Sequence, residues 1–218
     1  MSKTFYRKSK RVLDIIISFL AIILTSPILL LSAFLIWLTD RKEVFVKEPL
    51  RIGLHGKEFK MFKFRTMIPD AHNKIQKDPE FKDLKETWIK KDGKLKIAED
   101  RRITWIGKIL RKTDMDELPQ LLNVLAGNMS LVGPRPMYHG EIARYLGKFP
   151  EGKKYLKRIQ RVRPGLTGIW QVSGRNEIGF KDRVILEAKY ASNVNMKEDI
   201  KIFFKTPFVV LTRKGVYE

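Results

Sequence analysis

Asp116 and Glu117 stand side by side in LRKTDMDELPQLLNVLAG, closely preceded by Arg111 and Lys112. Two acids at a helix start have an ordinary reading, because they cap free N–H groups and oppose the helix dipole. The rest of the chain supports a second reading. Three loops each carry arginine beside Pro or Gly: Gly133-Pro134-Arg135-Pro136, Arg161-Val162-Arg163-Pro164-Gly165 and Gly174-Arg175-Asn176. Pro and Gly impose turns, so these arginines are expected on rigid loops and not on a solvated helical face. Guanidinium offers a planar fork that matches phosphate oxygens. Carboxylates beside clustered arginines stay ionised, and can act as nucleophiles or as hard ligands for Mg²⁺. In EFKMFKFRTM, period-2 alternation puts Phe59, Met61, Lys63 and Arg65 on one strand face. That makes Lys63 and Arg65 either a phosphate seat or a solvated edge.

Composition narrows the partners. The 218-residue chain carries a net charge of +20 and no cysteine. A disulfide framework, a thiolate nucleophile and a Cys-ligated zinc are therefore excluded. His55, His72 and His139 are scattered, which argues against a histidine metal site. So basic a chain attracts anions: nucleic acid, anionic lipid or phosphorylated substrates. No zinc-finger, RRM or helix-turn-helix pattern supports nucleic acid.

The apolar run Val12–Leu38 favours lipid and lipid-borne phosphate. A bilayer span needs about 20 apolar residues, and this run is long enough. Pro27 stands near its middle and removes a backbone donor. Each half is then about 14 residues, or roughly 21 Å, short of a core of about 30 Å. Lys3, Arg7, Lys8, Lys10 and Arg11 precede the run, and Arg41, Lys42, Lys47 and Arg51 follow it. Positive flanks stay cytoplasmic, so both ends are expected on one side of the membrane. A re-entrant helix-break-helix at Ser26-Pro27 satisfies that, with the Ser26 hydroxyl bonding to a carbonyl stranded by Pro27. A kinked spanning helix is the other reading. Asp14 is expected to pair with Arg11 or Lys10. A cleaved signal peptide does not fit, since its apolar region covers only about 7–15 residues.

The elements between can be placed in outline. Val44–Met67 reads as a β-hairpin turning between Gly53 and Gly56. Ile68–Asp100 reads as a charged, partly helical insertion anchored by Trp88 and Ile89, with a turn at Asp92-Gly93. A helix with apolar residues Leu118, Leu121, Leu122 and Leu125 closes at Gly127, and Pro119 places its start near Asp114–Asp116. The segment DIKIFFKTPFVVL suits a helix lying on a membrane surface. The fold class is α+β, mainly α. Residues 1–40 form the re-entrant membrane hairpin, and residues 41–218 a catalytic domain with interfacial helices.

Together KRVLDIII, KFRTM, LRKTDMDELPQLLNVLAGNMSLVGPRP and VRPGLTGIWQVSGRN resemble the bacterial sugar transferases, the monotopic polyprenyl-phosphate phosphoglycosyl transferases. The resemblance runs from about Lys10 to Tyr217. It implies transfer of a sugar 1-phosphate from a UDP-sugar to undecaprenyl or another polyprenyl phosphate, with release of UMP. It implies Asp116 as the nucleophile that carries the phosphosugar. Glu117 is implied beside it as a metal ligand or positioning group. Mg²⁺, or Mn²⁺ in its place, is implied on Asp116 and Glu117. Arg111, Arg135, Arg161, Arg163 and Arg175, and less directly Lys63 and Arg65, are implied as phosphate or nucleotide binders. The C-terminal third is similar to the hexose-1-phosphate branch.

Other implied partners are bacterial membrane lipids and, as one option, a second copy of the chain. The implied location is the cytoplasmic face of the inner membrane, in surface-glycan synthesis such as exopolysaccharide or lipopolysaccharide. One departure is Pro49 where members usually carry Gln, two residues before the arginine equivalent to Arg51. The insertion is also longer than in the smallest members, and no amino-terminal multi-span extension is expected. The competing functions are a non-catalytic basic protein on anionic lipid, which has no need of Asp116 and Glu117, and a glycosyltransferase that releases UDP.

Overall fold

The computed structural model describes residues 3–46, 49–90 and 95–212, apart from the side chains of Lys3 and His72. Lys47, Glu48, the turn expected at Asp92-Gly93 and Tyr217 lie outside the described residues.

Helix α1 (Lys3–Asp40) is continuous. Tyr6, Asp14, Ser18, Ser32 and Ile36 are buried, and Ile17, Ala21, Ile22, Leu29 and Ala33 pack beside them. Helical spacing makes these one stripe along the whole element. The other side is apolar and open, with Phe19, Leu20, Ile23, Leu24, Leu30 and Leu31 all exposed. Among the described residues α1 is the one helix long and apolar enough to cross a membrane. The expected division into two helices is not seen, because the helix runs through Pro27. Pro27 has no N–H for the carbonyl of Ile23. The Ser26 hydroxyl donates to that carbonyl instead, at 2.8 Å.

The two ends of α1 are fastened differently. Near the start, Arg11 donates to the carbonyls of Val124 and Leu125 at 2.6 and 2.8 Å. Asp14 accepts the Leu131 N–H at 3.0 Å, and Lys10 and Arg11, its expected partners, add positive charge nearby. At the far end, Arg65 grips Asp40 through two bonds of 2.7 and 2.6 Å, and Ile36 packs on Phe64, Ile106 and Leu110.

The expected hairpin is shorter than its alternation suggested. Strands β1 (Arg51–Ile52) and β2 (Glu58–Phe59) pair antiparallel around the turn Leu54–Gly56, with an isolated bridge from Phe45 to Phe64. The insertion folds into α2 (Ala71–Lys77) and α3 (Lys82–Lys90), with its own small core of Ile75, Phe81 and Leu84. Trp88 packs against that core, whereas Ile89 faces outward.

Helix α4 (Trp105–Lys112) starts on Thr104, whose hydroxyl accepts the Gly107 N–H at 3.0 Å. Helix α5 spans Gln120–Leu125. It begins later than expected, because a separate tight turn, Met115–Glu117, precedes Pro119. Leu118, Leu121 and Leu122 each bond three residues back, to Met115, Leu118 and Pro119. Leu121 is buried but Leu122 faces outward.

A second, parallel pair was not anticipated: β3 (Ser130–Val132) against β4 (Gly165–Thr167). A Cβ on Gly133 would lie 2.5 Å from the Arg163 carbonyl oxygen, and one on Gly165 would lie 2.0 Å from the Gly133 nitrogen. Glycine is required at this crossing. Helices α6 (His139–Lys148), α7 (Lys153–Ile159), α8 (Ile169–Ser173) and α9 (Phe180–Ser192) follow around that pair. The last, α10 (Met196–Leu211), buries Ile202 and Val209 and exposes Ile200, Phe204, Phe208 and Leu211. That exposed stripe suits the surface helix expected there.

Candidate active site

The tight turn after α4 carries the two carboxylates. Asp114 before it has φ 54°, a left-handed conformation that non-glycine residues rarely hold. Arg175 has φ 49° and bonds Asp114 through Nη2 at 2.7 Å. Two strained residues thus hold each other beside the turn, as strain often clusters at functional sites. Asp116 is 3% exposed. Its backbone carbonyl accepts the Phe64 N–H at 3.0 Å, which docks residues 63–65 on the turn.

That docking delivers Lys63. Its Nζ lies 2.9 Å from Asp116 Oδ2 and 3.0 Å from Glu117 Oε1. Arg135 Nη1 stands 3.5 Å from the same Glu117 oxygen. Arg111 donates to the Thr66 hydroxyl at 2.8 Å and adds positive charge near Asp116. Burial pushes the Asp116 carboxyl up from the usual aspartate value, with Glu117 adding to it and Lys63 and Arg111 opposing. Burial acts the same way on Glu117, but Lys63 and Arg135 outweigh it and hold that carboxyl at about 2. The surrounding cations thus outweigh burial at Glu117, whereas at Asp116 burial outweighs them.

The structure brings Asp116, Glu117, Lys63, Arg111, Arg135 and Arg175 together. Three expected binders are elsewhere. Arg65 is committed to Asp40, and Arg163 donates to the Gly127 carbonyl at 2.9 Å. Arg161 is exposed and takes no part in these ion pairs among the described residues. The partners of Arg65 and Arg163 are distant in sequence, and the local pattern did not reveal them.

Two residues were missed. Arg51 lines a cleft with Glu117, Gln120, Arg135 and Gln171. Its guanidinium sits 3.5 Å from Glu141 and over the Tyr138 ring. Asn123, fully buried, accepts the Phe62 N–H and donates to the Lys60 carbonyl, both at 2.8 Å. It thereby sets the segment that presents Lys63. An amide among the leucines of α5 was the available signal for it.

An acid pair ringed by cations, on a domain packed against a long apolar helix, defines an anion-handling protein compatible with membrane association. Residues 5–213 match the bacterial sugar transferase family, and the chain belongs to it. It is 43% identical over 221 residues to an uncharacterised sugar transferase of Haemophilus influenzae, covering 100% of this chain and 44% of the relative. It is 38% identical over 217 residues to the undecaprenyl-phosphate galactose phosphotransferase of Salmonella typhimurium, covering 100% of this chain and 43% of that protein. It is also 39% identical over 209 residues to the exopolysaccharide production protein ExoY of Sinorhizobium fredii, covering 96% and 88%. The chain spans less than half the length of the first two relatives and most of the third. The name of the Salmonella relative agrees with the resemblance to the hexose-1-phosphate branch.

Proposed function

We propose that this chain moves a hexose 1-phosphate from a UDP-sugar to undecaprenyl phosphate and releases UMP, as a membrane step of surface-glycan synthesis. The observation that carries this is Asp116, buried on a strained turn and paired with Lys63 beside Glu117 and Arg135. An Asp116 carboxylate oxygen attacks the phosphorus that bears the sugar, and the bond from that phosphorus to the UMP oxygen breaks. An oxygen of the lipid phosphate then attacks the same phosphorus. The aspartyl bond breaks, and the carboxylate returns as the lipid diphosphosugar leaves. Lys63, Arg135 and Arg111 offset repulsion between the reacting anions, and Arg51 extends this positive lining along the cleft.

Among the described residues no group of three or more acidic or histidine side chains is placed to hold a metal. Mg²⁺ does not need one, because it binds through about one or two carboxylates and completes its shell with water and substrate phosphate. Asp116 and Glu117 fit that donor set once Lys63 moves aside, and Glu117, held ionised, is the stronger ligand. Bound there, Mg²⁺ or Mn²⁺ supplies neutralisation of the diphosphate.

The test omits the lipid. The full chain given UDP-hexoses and Mg²⁺ should release about one UMP per active site and gain a sugar phosphate on the Asp116 peptide, as covalent catalysis requires. EDTA should abolish both. UMP release only with polyprenyl phosphate, and no adduct, would show direct transfer. UDP release would show an ordinary glycosyltransferase.

We also propose that α1, kept helical but bent at Pro27, enters and leaves the cytoplasmic leaflet of the inner membrane on one side. Both of its flanks are basic, and both of its ends are fastened to the same domain. Lys3→Cys and Lys42→Cys should be labelled from the same side of sealed vesicles. Labelling from opposite sides would establish a spanning helix.

A further inference from the structure

Behind Arg135 lies a buried charged group that the proposed steps leave unused. Glu187 on α9 is 0% exposed, and its Oε1 accepts the backbone N–H of Arg135 at 2.9 Å. Arg135 lies between Pro134 and Pro136, and proline has no N–H. The bond to Glu187 therefore uses the sole backbone donor of residues 134–136. Arg183, one helical turn before Glu187, is 7% exposed and brings Nε within 3.5 Å of the same oxygen. Both guanidinium groups stand over one indole, with Arg183 4.8 Å and Arg135 5.4 Å from the Trp170 ring centre.

Stability does not account for this group. A buried ion pair often adds nothing over an apolar pair of the same shape, and this one is incompletely satisfied. Glu187 Oε2 and Arg183 Nε and Nη2 are buried without a hydrogen-bond partner in the protein. What the group does achieve is geometric. It fixes the backbone of a two-proline loop, gives the Arg135 guanidinium an aromatic ring to lie on, and supplies a carboxylate beside the two cations that share that ring.

We infer that Glu187, with Arg183 and Trp170, is a positioning unit that holds the Arg135 guanidinium for the donor diphosphate. The inference rests on the proposed reading, in which Arg135 contacts that diphosphate. Glu187 touches no reacting atom, so it acts through Arg135 alone. A residue that acts through another loses its effect once that other is changed.

The test is a double-mutant cycle on the full chain in lipid nanodiscs, using the UDP-hexose that the wild-type chain turns over, with UDP binding measured alongside. Glu187→Gln keeps an acceptor but removes the charge. It should raise the KM for UDP-hexose about tenfold, while the KM for undecaprenyl phosphate stays within about twofold. Arg135→Lys should lose at least as much, and the double variant no more than Arg135→Lys alone. Losses that multiply, or equal changes in both KM values, would overturn the inference and leave Glu187 a structural residue. If Glu187→Gln does not fold, Trp170→Phe enters the same cycle with the same expected pattern. A wild-type chain that neither releases UMP nor binds UDP would overturn the proposed function and this inference together. An active wild type with Glu187→Gln indistinguishable from it would overturn this inference only.

Discussion

Asp116 and Asp199 are both nearly buried, and each faces a lysine at ion-pair distance, yet their surroundings differ in completeness. Asp199 receives Tyr6 at 2.7 Å, Lys10 at 2.6 Å and Tyr190 at 2.6 Å. Its cluster joins the start of α1 to α9 and α10. Among the described residues Asp116 has a single ammonium at 2.9 Å, shared with Glu117, and burial raises the pKa of its carboxyl. A carboxylate whose bonds are all made holds a structure together. One left short of partners keeps lone pairs for a substrate, and perturbed titration marks such groups.

The comparison is broken or sharpened most strongly by exchanging the two acids for amides. Asp116→Asn should bring turnover to background while the chain still folds, since Asn matches Asp in size and Lys63 keeps Glu117 as its counter-charge. Asp199→Asn should do the reverse. It leaves Lys10 without its counter-charge at a cost of about 3–5 kcal/mol, while UMP release per folded molecule stays near wild type. Denaturation midpoints and single-turnover release on the same preparations separate the two, and the opposite pattern would end the distinction.

Arg135→Lys comes next. It keeps charge but loses the fork, so kcat/KM should fall at least about tenfold, or about 1.4 kcal/mol. Steady-state rates at wild-type level would remove Arg135 from the site.

Lys63→Gln has the subtlest signature. The acid limb of kcat/KM reports the free enzyme. It should lie above the ordinary Asp value of 3.8, because burial raises Asp116. Glu117, at about 2, titrates too low to shape it. Lys63 lowers both carboxyls. Removing it should therefore move the limb to higher pH, in addition to slowing the reaction. An unmoved limb in the pH–rate profile would show that Lys63 is not their counter-ion.

What was legible in the sequence was what is local. The acid pair, the turn between Gly53 and Gly56, the Gly-Pro-Arg-Pro loop and the outward stripe of α10 each depend on residues a few positions apart. What stayed hidden depends on distant partners. Asn123 bonds a backbone 61 residues away, Glu187 one 52 residues away, and Asp199 a tyrosine 193 residues away. Periodicity reports which side of an element is buried, and says nothing of what it meets there. Arg65 shows the cost. Its alternation with Lys63 is real, but Asp40 claims its guanidinium. The parallel pair β3–β4 escaped for the same reason, because three-residue strands carry too little alternation to be seen.

The Ser26 hydroxyl over the Ile23 carbonyl has a consequence for biogenesis. In hydrocarbon an unsatisfied backbone carbonyl costs several kcal/mol, and a helix with such a defect must wait for a neighbour to cover it. Here the cover lies three residues along the same chain. The element carries its own hydrogen bonds through the proline. On the proposed membrane reading it therefore enters lipid as it is synthesised, before the rest of the chain has folded, and offers the finished helix as the surface on which that rest assembles.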